Sequence, residues 1–67
     1  MTKTQTKKLR KIFRELAERE IHSLSYWAKE IGTNYHTVSR LLDDNFRTNT
    51  KTAFLLKRYL EKRNLLN

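Results

Sequence analysis

Cysteine and proline are absent from this chain, and glycine occurs once, at Gly32. Without cysteine there is neither a disulfide framework nor a thiolate metal site, so apolar packing alone must hold the core. With no proline and one glycine, no stretch reads as a linker, a low-complexity tract or a domain boundary. Long apolar runs are missing too. None approaches the roughly 18 residues that span a bilayer, and the basic, polar N-terminus lacks the apolar stretch of a secretory signal. One domain over residues 1–67 is expected, in the cytoplasm and without a membrane partner.

Acidic residues are also few: seven Asp and Glu stand against fifteen Lys and Arg, a net charge of +8 and a pI near 10.2. Polyanions are the partners such a surface selects. An enzyme is not expected. His22 and His36 have no metal-ligand spacing, the carboxylates lie on helical faces among lysines, and no glycine-rich phosphate loop exists. Neither a cofactor nor a small-molecule ligand is expected. A chain of this size buries only about 60% of the surface it exposes when unfolded, which predicts modest stability.

What is present is helical periodicity. Leu9, Ile12, Phe13, Leu16, Ala17 and Ile21 recur at three-and-four spacing, with Lys7, Lys8, Arg10, Lys11 and Arg14 on the remaining faces, which predicts a helix from about Lys3 to Arg19. Thr2 and Gln5 have capping-box spacing for its start. Ser23 suits the N-cap of a second helix, Leu24 to Ile31, whose inner face is Trp27, Ala28 and Ile31. Gly32-Thr33-Asn34 reads as a tight turn. Asn34 then caps a third helix, Tyr35 to Asp43, with Val38, Leu41 and Leu42 in one narrow arc. After the polar stretch Asp43 to Thr50, a last helix from about Lys51 to Arg63 carries Ala53, Phe54, Leu55, Leu56, Tyr59 and Leu60. Phe46 and Phe54 are expected in the core. Tyr59, Leu65 and Leu66 remain as apolar surface for a second copy of the chain. The fold class predicted is all-α: a compact bundle of four, or at most five, short helices.

Ala28, Gly32 and Val38 make the second and third helices a pair. Close crossing needs a small residue on the first helix, a turn residue that tolerates positive φ, and a branched apolar group pressed inward from the second. This is a helix-turn-helix over residues 23–43. From Ser23 to Leu42, the cap, Trp27-Ala28, Lys29-Glu30-Ile31-Gly32 and Thr37-Val38-Ser39-Arg40-Leu41-Leu42 resemble the phage repressor and Cro-like regulators, the XRE-type family. The segment Thr37 to Arg40 also resembles the motif of the Lac repressor family. The family's glycine, and often proline, after the second motif helix is replaced by Asp43-Asp44-Asn45-Phe46-Arg47, and little sequence remains for its fifth helix.

The resemblance implies a sequence-specific binder of double-stranded DNA, a small transcriptional regulator of a phage, plasmid or other mobile element, working at the bacterial nucleoid. With Val38, Leu41 and Leu42 inward, Tyr35, His36, Ser39 and Arg40 are the candidates for reading bases in the major groove. Arg40 suits either a bidentate contact to guanine or a phosphate contact. Asp43 suits a solvated helix end better than a cytosine contact. Phosphate anchoring falls to Ser25, Tyr26, Asn34, Thr37, Arg47, Thr48, Asn49 and Lys51, with Asn34 serving foremost as a cap. Lys3, Lys7 and Lys8 are within reach of the backbone from another side, although a lysine-rich helix face is more often simply solvated. One recognition helix reads half a site, so a homodimer on an inverted repeat with half-sites about 34 Å apart is expected. Two rival readings remain: a protein-binding module of antitoxin or inhibitor type on the same scaffold, and a cationic amphipathic membrane-surface peptide.

Overall fold

Periodicity becomes four helices in a computed structural model of the protein, which describes residues 3–43 and 45–66, Lys3 by its backbone alone. Helix α1 spans Lys3–Arg19, α2 Leu24–Ile31, α3 Tyr35–Leu41 and α4 Thr50–Lys62; no strand and no fifth helix occur among the described residues. The chain is thus all-α, as its spacing predicts. Thr2, half of the expected capping box, lies outside the described residues, as does Asp44.

Each helix is amphipathic, and the four apolar faces meet in one core. Leu9, Phe13 and Leu16 come from α1, Trp27, Ala28 and Ile31 from α2, Val38 and Leu41 from α3, and Leu56, Tyr59 and Leu60 from α4. Trp27 lies near the middle of this set. Its ring meets Phe13 edge-on at 5.5 Å and Tyr59 at 6.3 Å, joining α2 to α1 and to α4. Edge-to-face pairs of this kind add about 0.5 to 1.5 kcal/mol to the area they bury. Ile12, Ala17, Leu24, Leu42 and Leu55 pack around the margin.

Two helix starts are closed by the residues the sequence marks for that role, Ser23 and Asn34, and a third by Asn49, which the sequence reading leaves to phosphate anchoring. Ser23 Oγ accepts from the Tyr26 amide at 3.2 Å, Asn34 Oδ1 from the Thr37 amide at 2.9 Å, and Asn49 Oδ1 from the Thr52 amide at 2.7 Å. Each satisfies a helix N-terminal N–H that has no partner within the helix. Gly32 sits at φ +93, and both its own amide and that of Thr33 donate to the Ala28 carbonyl. This left-handed stop lets α3 turn back on α2 within three residues.

Several expectations need correction. Ile21 is 90% exposed, because α1 stops at Arg19 and Ile21 belongs to the connection to α2. The third helix ends at Leu41, not Asp43: Leu42 caps it, and its amide is shared among the Val38, Ser39 and Arg40 carbonyls. Helix α4 begins one residue earlier than expected, because Asn49 caps it, and ends at Lys62. Phe46 and Phe54 are not in the core but stand 45% and 54% exposed. Tyr59, assigned to the surface, is buried at 6%. Leu65 and Leu66 also turn inward. Asn64 adopts φ 57, and the Leu65 amide returns to the Leu60 carbonyl at 2.9 Å, so the chain reverses after α4 and lays both leucines against the core.

Candidate nucleic-acid interface

Helix α3 has seven residues, far below the dozen or so that hold a helix together in isolation. Its shape is therefore imposed from outside. Val38 and Leu41, at 0% and 2% exposure, fix the inner face; Asn34 fixes the N-terminal end. At the other end, Arg10 reaches across from α1. Its guanidinium donates to the carbonyls of Leu41 (3.2 Å), Phe46 (2.8 Å), Arg40 (3.3 Å) and Asp43 (2.6 Å). A cation among the last carbonyls of a helix satisfies acceptors that have no amide partner and opposes the negative end of the helix dipole. Charge-assisted bonds of this kind are the stronger class.

With its inner face fixed, the helical period leaves Tyr35, His36, Ser39 and Arg40 outside, all exposed. The sequence-predicted base readers therefore share one surface. The Tyr35 and His36 rings lie 4.1 Å apart, tilted by 31°, at the N-terminal end of α3. One and a half turns on, the Arg40 guanidinium carbon lies over the Phe46 ring, 5.5 Å from its centroid. Thr37 is half-buried, and its hydroxyl donates to Asn34 Oδ1 at 3.0 Å, which commits that oxygen to the cap.

The expected phosphate-anchoring residues divide into two groups. Thr37, Arg47, Thr48 and Asn49 line one small hollow of about 60 Å³ between α3 and the start of α4, together with Arg40, Leu41 and Thr52. Thr48 Oγ1 is buried there without a hydrogen-bond partner. The hollow is large enough to admit an oxygen ligand. Ser25, Tyr26 and Lys51 are exposed but do not line it. Tyr26 is engaged elsewhere: its ring stacks on His22 at 3.8 Å and meets Trp27 edge-on at 5.2 Å, and partial burial holds its phenol above the ordinary range. Lys7 and Lys8 are exposed on α1.

Asp43 Oδ1 accepts from the Asn45 amide at 3.0 Å, which turns the acid into its own loop. Glu20 is at the other end of α1, paired with Arg63 at the end of α4. Two residues that shape this face escape sequence reading, Arg10 and Phe46. Arg10 looks like one more cation of α1, and its only signal is its place at the border of the apolar arc, three residues before Phe13. Phe46 looks like core because it is the sole aromatic in a polar stretch.

Among the described residues no helix is long and apolar enough to cross a membrane, and no three His, Asp or Glu side chains gather to hold a metal ion. Comparison of the chain with protein-family models, with curated proteins and with solved structures finds no match. The functional reading rests on the residues themselves.

Proposed function

We propose that this protein binds double-stranded DNA sequence-specifically, with α2, the turn and α3 acting as a helix-turn-helix and α3 entering the major groove. The observation that carries this reading is the outward face of α3. Tyr35, His36, Ser39 and Arg40 project from a rigidly held short helix and take no part in the core, in a chain of net charge +8. Beside them the hollow lined by Arg47 and Thr48 offers cationic and hydroxyl groups to a phosphate. The resemblance of residues 23–42 to the repressor and Cro-like regulators supports a role as a small transcriptional regulator of a phage, plasmid or other mobile element, at the bacterial nucleoid.

One α3 reads half a site, so the protein acts as a homodimer on an inverted repeat. A two-fold interface must complement itself, and in a strongly basic chain that requires a patch with both signs of charge. The open groove of about 590 Å³ between α2 and α4 is such a patch: Ile31, Leu55 and Tyr59 line it together with the acids Glu30 and Glu61 and the bases Arg58 and Lys62. We assign the second copy to this face.

Selection of duplexes from a randomised pool tests the reading. An enriched inverted repeat is expected, bound with an affinity that falls by roughly 0.9 log unit per log unit of salt for each phosphate neutralised. Arg40→Ala should weaken that duplex with the fold intact. Binding of a protein partner with no preference for any duplex sequence would support the protein-binding alternative instead.

A further inference from the structure

We infer that Phe46, outside the motif, is a specificity-determining positioning residue that holds the Arg40 guanidinium ready for a base edge; this rests on the DNA-binding reading above. Phe46 stays 45% exposed, outside the core. The ring is instead occupied by Arg40, whose guanidinium carbon stands 5.5 Å from its centroid. A ring covering one face of a guanidinium leaves its N–H edges open, and those edges make the bidentate contact to guanine O6 and N7.

The pair is set by backbone as well as by side chain. The Arg10 guanidinium donates through Nη2 to the Arg40 carbonyl and through Nη1 to the Phe46 carbonyl. One rigid fork thus fixes the two main-chain positions from which the paired side chains project. A free arginine loses much of its rotamer freedom when it docks on a base. An arginine already resting on a ring loses less, and its direction is chosen before DNA arrives.

The test uses the full chain carrying Phe46→Leu, Phe46→Tyr, Arg40→Ala and the Arg40→Ala/Phe46→Leu pair. Without DNA, the Arg40 δ-methylene protons should show an upfield ring-current displacement that Phe46→Leu abolishes and Phe46→Tyr retains. On a duplex enriched from a random pool by the unmodified chain, Phe46→Leu should weaken binding about two- to fivefold, the range of an exposed cation–π contact. It should also flatten preference at the base pair read by Arg40, and Phe46→Tyr should restore both. In the Arg40→Ala background Phe46→Leu should have no further effect. Equal losses with and without Arg40 would mean that Phe46 merely shapes its loop, and would overturn the inference alone. A pool that yields no enriched duplex would overturn the DNA-binding reading and this inference with it.

Discussion

Arg10 shows how far one side chain can depart from what its helix face suggests. In sequence it belongs with Lys7, Lys8 and Lys11, yet it is half-buried and its guanidinium serves four carbonyls, two in the last turn of α3 and two in the loop that follows. Three-and-four spacing separates inside from outside, but it cannot show that a border cation will reach an element more than 30 residues away. Arg10→Met should therefore lower stability by about 1 to 3 kcal/mol, the range for hydrogen bonds to a charged group, since the partly solvated carbonyls recover some bonding from water. A reduced urea midpoint with unchanged slope is the expected signature. Arg10→Lys should recover only part of the loss, because one ammonium cannot span the four acceptors. A wild-type midpoint for Arg10→Met would contradict this role.

Glu20 carries the clearest pH dependence at this scale. Its carboxylate is hydrogen-bonded by Arg63, whose Nη1 also donates to the Tyr59 hydroxyl at 3.0 Å, and the Arg63 hydrogen bond is the main reason its pKa lies below the ordinary 4.5. The same bond raises the pKa of Arg63. A depressed carboxyl binds its proton more weakly in the folded state than in the unfolded one. Its contribution is thus complete above the unfolded value near 4.5 and is lost as the pH falls through the lower folded value. Glu20→Gln should lower the melting temperature at pH 7, and the gap from the unmodified chain should narrow as the pH falls below 4.5. A gap that stayed constant down to pH 3 would show that the ion pair contributes nothing.

At the scale of elements, caps and stops were more legible than the fate of isolated aromatics. Ser23, Asn34 and Gly32 announce themselves because each solves a local problem, an amide without a partner or a left-handed backbone, that hardly depends on the rest of the fold. The end of α3 is less legible for the opposite reason: its last carbonyls are met by the remote Arg10, and the Leu42 amide is shared among three carbonyls. Tyr59 and Phe54 likewise could not be sorted by spacing, because the apolar arc of α4 is wide and tertiary packing chose which part to cover. Gly32 allows a clean test of backbone conformation. A Cβ built there meets nothing within 4 Å, so substitution costs only the left-handed φ of +93. Gly32→Ala should destabilise by about 1 to 2 kcal/mol. Gly32→Asn should cost less, because Asn tolerates that region. If Ala proved as stable as Gly by denaturant midpoint, the α2–α3 turn would have to differ from the one described.

At the scale of the whole molecule, size sets how tightly two copies can associate. The Cα positions span 28 × 26 × 19 Å. In the proposed arrangement two copies place their α3 helices about 34 Å apart, in successive turns of one DNA face. A stable interface buries about 800 Å² per partner, which would be about a sixth of this chain's 5096 Å² surface. The net charge of +8 on each copy opposes committing that much surface to a second copy until phosphates neutralise it. The protein should therefore sediment as a monomer at micromolar concentration and bind cooperatively to a duplex with two half-sites. Leu55→Glu, which puts a charge on the floor of the α2–α4 groove and at the margin of the core, should abolish that cooperativity, with retained cooperative melting and retained binding to a single half-site checking that the fold survives the change. A dimer stable at nanomolar concentration without DNA would show that a larger face than this groove is used. Unchanged cooperativity in Leu55→Glu would place the second copy elsewhere.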